Sequence, residues 1–330
     1  MTMMEMRRTG FAAAVPECVP SATRVTVLMG GASAEREVSL LSGREVSKAL
    51  RSAGFLVKDV DLRPDEVRFL AGRDFDVAFI ALHGGFGEDG TLQGQLDRLG
   101  LAYTGSGAEA SRLAMDKVAA KELFRAAGVA TPEWRLVARG DAAGAREVYD
   151  ALGPDVAVKP RDDGSSVAVT LAETFELYQA GLDEVFKIRG EALVERLVRG
   201  RELTVGVLAD RGLPIIEIIP AAAFYDYNAK YFSDATRYVA NPDLPDGLAA
   251  RVQALAVTAH RAVGCRDFSR VDLMLDAAGA PTVLEVNTIP GFTTHSLLPK
   301  AAAAAGLDFT ALCRTIVELA LSRKLTAPGR

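Results

Sequence analysis

The sequence predicts an α/β and α+β multidomain protein whose first unit is a doubly wound parallel sheet. Three observations carry this. The 330 residues are too many for one compact core. In the first third, short apolar runs of strand length alternate with helical patterns, as in βαβ units. Near the end, two strand-like runs at 270–275 and 281–286 are joined by Asp276-Ala-Ala-Gly-Ala280, which reads as a hairpin.

The folded part is expected to begin at Arg24-Val-Thr-Val-Leu-Met29, an apolar run closed by Gly30-Gly31. Ser33 reads as the cap of a helix with Val38, Leu41, Val46 and Leu50 on one side, ending at Gly54. Runs 55–60 and 76–82 read as further buried strands. In parallel sheets ligands bind beyond the carboxyl ends of strands, and Glu35 and His83 both lie there. One long helix is expected over 108–127, closed by Gly128 and Pro132. Strands follow at 156–159, 192–197 and 202–208, with a helix near 173–185. A strand at 214–219 precedes a polar, aromatic stretch to about 245, and helices are expected over 247–263 and 308–324.

Composition excludes several classes of function. Hydrophobic residues make up 49% and charged residues 25%, near the averages for globular enzymes. Thirty-eight basic against 43 acidic residues give a net charge of -5, so no general attraction to nucleic acid or to an anionic membrane is expected. Any bound phosphate needs a local cluster. Cys18, Cys265 and Cys313 are odd in number and widely spaced, with neither disulfide nor metal-site spacing, which points to a reducing, cytoplasmic compartment. No apolar run approaches the ~18–20 residues of a membrane span. Arg7 and Arg8 precede Phe11-Ala-Ala-Ala-Val15, but that apolar stretch falls short of the ~7–15 residues of a signal-peptide core. Residues 1–23 read as a disordered tail or an over-called start, since Met3, Met4 and Met6 follow Met1.

Three stretches carry chemistry. In the hairpin, strand residues two apart share a face, so Arg270, Asp272 and Met274 point one way, and Glu285 shares a face with Asn287. These are hard oxygen donors of the kind Mg²⁺ prefers, although an ordinary salt-bridged hairpin face uses the same residues. Lys159-Pro-Arg-Asp-Asp-Gly-Ser-Ser-Val167 ends an apolar strand with a lysine and continues into a hydroxyl-bearing loop. Such a loop can cradle phosphate or be an exposed turn. Phe224-Tyr-Asp-Tyr-Asn-Ala-Lys-Tyr-Phe232 lies in a long aperiodic segment, either a lid or a loop whose tyrosines cover core. Gly105-Ser-Gly-Ala-Glu-Ala110 fits G-x-G-x-x-A, but no βαβ unit begins there and the match is set aside.

Read together, the segments resemble the D-alanine–D-alanine ligase family. The matching stretches are Gly30-Gly-Ala-Ser-Ala-Glu-Arg-Glu-Val-Ser-Leu40, Leu82-His-Gly-Gly-Phe-Gly-Glu-Asp-Gly-Thr-Leu-Gln-Gly94, Tyr103-Thr-Gly-Ser106 and Met115-Asp-Lys117. Val158-Lys-Pro160, residues 224–231, Leu284-Glu-Val-Asn-Thr-Ile-Pro-Gly291 and His295-Ser296 complete the series in the family's order. The resemblance implies an ATP-grasp fold with a Rossmann-like domain over 24–120, a central domain over 121–208 and a C-terminal domain over 209–330. The last would carry a lid at about 220–245.

By the same resemblance, the chain would ligate two D-alanines with ATP through a D-alanyl phosphate, for peptidoglycan precursors. Lys117, Lys159 and Ser166 would hold phosphates. Glu195, Arg196 and Val198 would line the adenine pocket, with Glu202 on the ribose. Asp272, Glu285 and Asn287 would carry two Mg²⁺ ions, with Mn²⁺ able to substitute. Arg270 and the Gly291 N–H would stabilise the oxyanion. Glu35 would pair with the donor ammonium beside His83, Ser296 and the Leu297 N–H would hold the acceptor, and Lys230 would bind substrate. Ser165, Tyr231 and Glu35 would form a network that closes the lid. The partners implied are D-alanine, ATP and a second copy in a homodimer. Tyr231 favours an amine acceptor over D-lactate; D-alanyl-D-lactate and D-alanyl-D-serine synthesis are the alternatives. Arg161-Asp-Asp and Arg199-Gly-Arg201 depart from the family pattern, and should alter ATP affinity before reaction class.

Overall fold

A computed structural model describes residues 18–72, 74–164, 167–220 and 236–326. Ser165, Ser166, Lys230 and Tyr231 lie outside the described residues, as does most of the lid segment.

The first sheet is parallel, in the order β2-β1-β3, from β1 (Arg24–Gly30), β2 (Leu56–Leu62) and β3 (Val77–Ile80). Alternate residues face opposite sides. Val25, Val27, Met29 and Phe79 pack on α1 (Arg36–Ser52), whereas Leu28, Ala78 and Ile80 face Val67, Leu92 and Leu96. The sheet is therefore covered on both faces, as expected. The 55–60 run is not a buried strand: β2 has a neighbour on one side only, and Leu56 is 52% exposed. Ser33 does not occupy the cap position either. The helix starts at Arg36, and Ser33 Oγ accepts the Glu35 N–H at 3.2 Å while donating to the His83 carbonyl at 2.6 Å.

The helix expected over 108–127 is two helices, α3 (Ala108–Met115) and α4 (Lys117–Ala126), after α2 (Thr91–Arg98). Asp116 breaks them with extended backbone, and its carboxylate accepts the Val118 and Ala119 N–H groups. A carboxylate at a helix start satisfies donors that have no intrahelical partner, so the break is held by a cap.

The second sheet is antiparallel, in the order β4-β7-β5-β6. Its strands are β4 (Trp134–Ala138), β5 (Val156–Pro160), β6 (Thr170–Ala172) and β7 (Glu191–Arg196). With α5 (Ala142–Leu152) and α6 (Phe175–Ile188) it encloses its own core around Val156, Val158, Tyr178 and Val194.

The third sheet runs β11-β10-β8-β12-β13, with β9 (Arg211–Gly212) beside β8. Its other strands are β8 (Arg201–Leu208), β10 (Ile216–Ile219), β11 (Arg237–Ala240), β12 (Phe268–Leu275) and β13 (Pro281–Asn287). Two expectations change here. A boundary at 208 would leave β8 in the central unit, yet β8 pairs with both β10 and β12. Six of its residues are buried in a row, so it needs neighbours on both sides and is central to the third sheet. Residues 237–240, within the expected lid, form β11 against β10.

Val271, Leu273, Val283 and Val286 pack on α7 (Leu248–Ala262) and on Phe124 of α4. The opposite face joins Leu208, Phe268 and Phe292 to α8 (Leu297–Ala304), α9 (Phe309–Thr326) and the first sheet in one core.

Candidate active site

Two cavities meet between the sheets. One, of about 750 Å³, is lined by Glu35, His83, Arg270, Asn287, Gly291 and Ser296. The other, of about 530 Å³, is lined by Lys159, Glu195, Val198, Glu202, Asp272 and Met274. Lys117, Asp163, Gly164 and Glu285 line both, so they stand at the junction.

The hairpin builds the junction's acidic side. Arg270 pairs with Asn287 and Asp272 with Glu285 across the strands, as the period-two reading requires. Leu273 then pairs with Val283, so Leu284 is an extra residue. This β-bulge lets Leu284 and Glu285 both line the second cavity, while Val283 and Val286 stay in the core. Asp272 accepts from Thr204 Oγ1 at 2.6 Å and from Arg270 through Nε at 2.9 Å and an η nitrogen at 2.7 Å. The Asn287 amide oxygen accepts the Ile289 N–H at 3.0 Å. Among the described residues no three His, Cys, Asp or Glu converge as a metal site. The hairpin instead offers two carboxylates and an amide oxygen, a hard-oxygen donor set.

The basic side is built by α4 and β5. Lys117 Nζ donates to the Asp163 carbonyl, and burial lowers its pKa. Burial also raises Asp163, against an ion pair with Arg189 at 2.8 Å. Lys121, one turn beyond Lys117 and fully buried, was not singled out by sequence. Its ammonium lies 2.8 Å from Glu195 Oε1 and donates to Thr131 Oγ1 at 2.7 Å. The other Glu195 oxygen lies 2.6 Å from Lys159 Nζ. Glu195 is thus divided between two lysines. Burial alone would raise this carboxyl, but Lys159 and Lys121 together hold it below the usual carboxylate range. Burial lowers Lys121 to about 8.

Arg196, expected at the adenine pocket, is the next residue on β7 and so faces the other way. It is half-exposed and pairs with Glu133 at 3.3 Å, and it does not line the cavity. Val198 and Glu202 do.

In the larger cavity, Glu35 precedes α1 with its carboxylate against Gly84. A Cβ on Gly84, whose φ is +70°, would lie 2.6 Å from Glu35 Oε2. His83 is buried, with Nε2 3.0 Å from Ser42 Oγ and Nδ1 3.4 Å from Glu88 Oε1. Both of its nitrogens are engaged by protein groups. Gly291 faces Ser296, whose Oγ accepts the Thr293 N–H at 3.1 Å, and Leu297 opens α8.

Comparison with known proteins decides the family. Residues 63–106 match the family described as D-ala D-ala ligase N-terminus, and residues 123–318 match D-ala D-ala ligase C-terminus. The D-alanine–D-alanine ligase of Bordetella petrii is 47% identical over 93% of this chain and 94% of its own length. The chain belongs to the D-alanine–D-alanine ligase family. The family's ligase from Geobacter sulfurreducens is 45% identical over 89% of this chain and 93% of its own. A crystal structure of the Bacillus anthracis ligase complexed with ATP superposes with a TM-score of 0.82 at 36% identity, covering 93% of this chain and 99% of that one. A D-Ala:D-Ser ligase from Enterococcus faecalis gives 0.80 at 29% identity, over 90% and 99%. The expected ATP-grasp fold follows, with its parallel-sheet unit in place. None of the departures at 161–163 or 199–201 removes the chain from the family.

Proposed function

We infer that this chain joins two D-alanines into D-alanyl-D-alanine at the expense of ATP, for peptidoglycan precursor synthesis. The observation that carries the reading is 47% identity to a D-alanine–D-alanine ligase along nearly the whole of both chains. The two-cavity geometry agrees: the smaller cavity, which carries Lys159, opens through Lys117 and Glu285 onto the larger one, which carries Glu35, His83 and Arg270.

The residues fit the steps. ATP lies in the 530 Å³ cavity with its phosphates toward Lys159 and Lys117. The donor carboxylate attacks the γ-phosphorus, ADP leaves, and a D-alanyl phosphate forms. Glu35 binds the donor ammonium. The free amine of the second D-alanine attacks the acyl carbon, and Arg270 with the Gly291 N–H stabilises the oxyanion before phosphate departs. Ser296 and the Leu297 N–H at the start of α8 hold the acceptor carboxylate, as a helix N-terminus favours an anion. Lys230, Ser165, Ser166 and Tyr231 would complete the substrate site, the phosphate loop and the lid. Asp272, Glu285 and Asn287 would hold two Mg²⁺ ions, whose charge would offset that of the phosphates.

The same reading takes the protein as a cytoplasmic homodimer. Its structural units would be a parallel-sheet unit, the four-stranded unit and the unit built on β8 and β12. No helix among the described residues is long and apolar enough to cross a membrane, and Cys265 and Cys313 are buried free thiols.

The test is phosphate release with D-alanine, D-lactate or D-serine as the second substrate at neutral pH. D-alanine is expected to be preferred. Efficient use of D-lactate or D-serine would move the chain to one of the alternative products. Replacing Arg270 by Met should lower kcat about 10²–10³-fold, as loss of an oxyanion donor does; unchanged turnover would remove it from the oxyanion site.

A further inference from the structure

Ser42 lies in the interior of α1 with no exposed surface, yet its hydroxyl touches two separate parts of the site. It accepts the Phe292 N–H at 3.3 Å and stands 3.0 Å from His83 Nε2. The second ring nitrogen of His83 stands 3.4 Å from Glu88 Oε1. A hydroxyl has one proton and two lone pairs. With one lone pair taken by Phe292 N–H, Ser42 can donate its proton to His83 Nε2. The imidazole proton then sits on Nδ1, facing the Glu88 carboxylate. The chain of bonds runs Phe292 N–H to Ser42, Ser42 O–H to His83, and His83 N–H to Glu88.

Its far end touches the acyl-transfer loop. Phe292 follows Gly291, and its ring is held edge-on by Phe79 and Phe268, both at 5.3 Å between centroids. Gly291 passes close to Ser296, since a Cβ there would lie 2.8 Å from Ser296 Oγ. On the other side, the Asn287 amide oxygen fixes the Ile289 N–H. The Gly291 peptide is therefore held between two anchors, and one of them is Ser42.

We propose that Ser42, His83 and Glu88 form a positioning relay that fixes the Phe292 peptide, and through it aims the Gly291 N–H at the oxyanion of the ligation step. The proposal rests on the reading of Gly291 as an oxyanion donor. None of the three residues needs to touch the reacting atoms. The relay belongs to the second half of the reaction, because acyl-phosphate formation develops its charge at the phosphate and not at the acyl oxygen beside Gly291.

That separation supplies the test. Positional isotope exchange in ¹⁸O-labelled ATP with D-alanine reports acyl-phosphate formation, and dipeptide release reports ligation. Ser42→Ala is expected to lower the ligation kcat about tenfold, in the range of a slightly misplaced catalytic donor, while exchange stays within about twofold. The ratio of exchange to ligation rises. Glu88→Gln, isosteric and at a largely buried position, should raise the same ratio, and it carries the comparison should Ser42→Ala melt below the assay temperature. Parallel loss of both steps would mean a merely structural role, and no change in the ratio would mean no role; either overturns the relay. Arg270→Met separates the two levels. Unchanged ligation in that variant refutes the oxyanion reading itself. A rise in the ratio there, without one in the Ser42 and Glu88 variants, refutes the relay alone.

Discussion

Glu195 shows how much a single buried carboxylate can organise. Its two oxygens hold Lys121 and Lys159 in place, and with one anion between two cations the cluster keeps a net positive charge beside the 530 Å³ cavity proposed to take ATP. Replacing Lys121 by Met breaks a fully buried pair and should cost about 3 kcal/mol, read by urea denaturation. The titration of Lys121 gives a second prediction. Below about pH 8 its ammonium is charged; above that, Glu195 is left to Lys159 alone and quenches the charge proposed to face the phosphates. KM for ATP should therefore rise as pH passes about 8. Stability should move the other way. The folded pKa is lowered, so between about 8 and the ordinary lysine value near ~10.4 the unfolded chain binds more protons and unfolding becomes harder as pH rises. A flat KM across that window would count against the role of Lys121. The acidic hairpin was legible in sequence because strand periodicity alone puts Asp272, Glu285 and Asn287 on their faces. Lys121 was not. Four residues after Lys117 on an amphipathic helix, it looks like any solvated lysine until β7 brings Glu195 against it.

At the level of elements, the informative feature is the break between α3 and α4. Without it one continuous helix would run through 108–127, as its apolar pattern suggests. Asp116 prevents that by capping α4 and by a two-pronged pairing with Arg161, with contacts of 2.9 and 2.7 Å. The Lys117 N–H also donates to the Arg161 carbonyl at 3.0 Å. The cap thus ties the lysine at the start of α4 to the loop after β5, which carries Asp163 and Gly164. Asp116→Ala should lower stability by about 1–2 kcal/mol, typical of a lost N-cap. It should weaken ATP binding as well, so that ATP raises the melting temperature less than in wild type. An ATP-induced shift equal to the wild type's would show that the cap matters only to α4. Turn and cap chemistry of this kind reads poorly from sequence, since an Asp inside a helical pattern is common on exposed faces. The bulge at Leu284 is equally hidden, because strict alternation would have sent Leu284 into the core.

Across the whole molecule, the four-stranded sheet has a core of its own, whereas the first and third sheets share theirs. Phe292 lies at the centre of that shared core between Phe79 and Phe268. Arg323 of α9 adds a polar tie, pairing with Asp267 and donating to the Tyr103 carbonyl at 2.7 Å. Amides of β4, β5 and β7 are therefore expected to exchange hydrogen through an opening separate from that of β1, β8 and β12, in a mass-spectrometric exchange experiment. Uniform protection across all three sheets would contradict this. Phe292→Leu loses two edge-to-face contacts, about 1–3 kcal/mol together, and should destabilise β1 and β12 alike. The doubly wound sheet and the presence of further units were visible in the alternation of runs. The sharing of a core was not, for apolar residues carry no label saying which distant face they will meet, and a boundary at 208 separates β8 from β10 and β12 for that reason.

That shared core also sets an order of events at the ribosome. The apolar face formed by Val25, Val27, Met29 and Phe79 is synthesised early, while α9, which helps cover it, begins roughly 230 residues after Phe79. At ~5–20 residues per second the nascent chain would carry that face incompletely covered for roughly 12–46 s. During this interval the part of the face that α1 leaves uncovered stays sticky, the condition under which holding chaperones act.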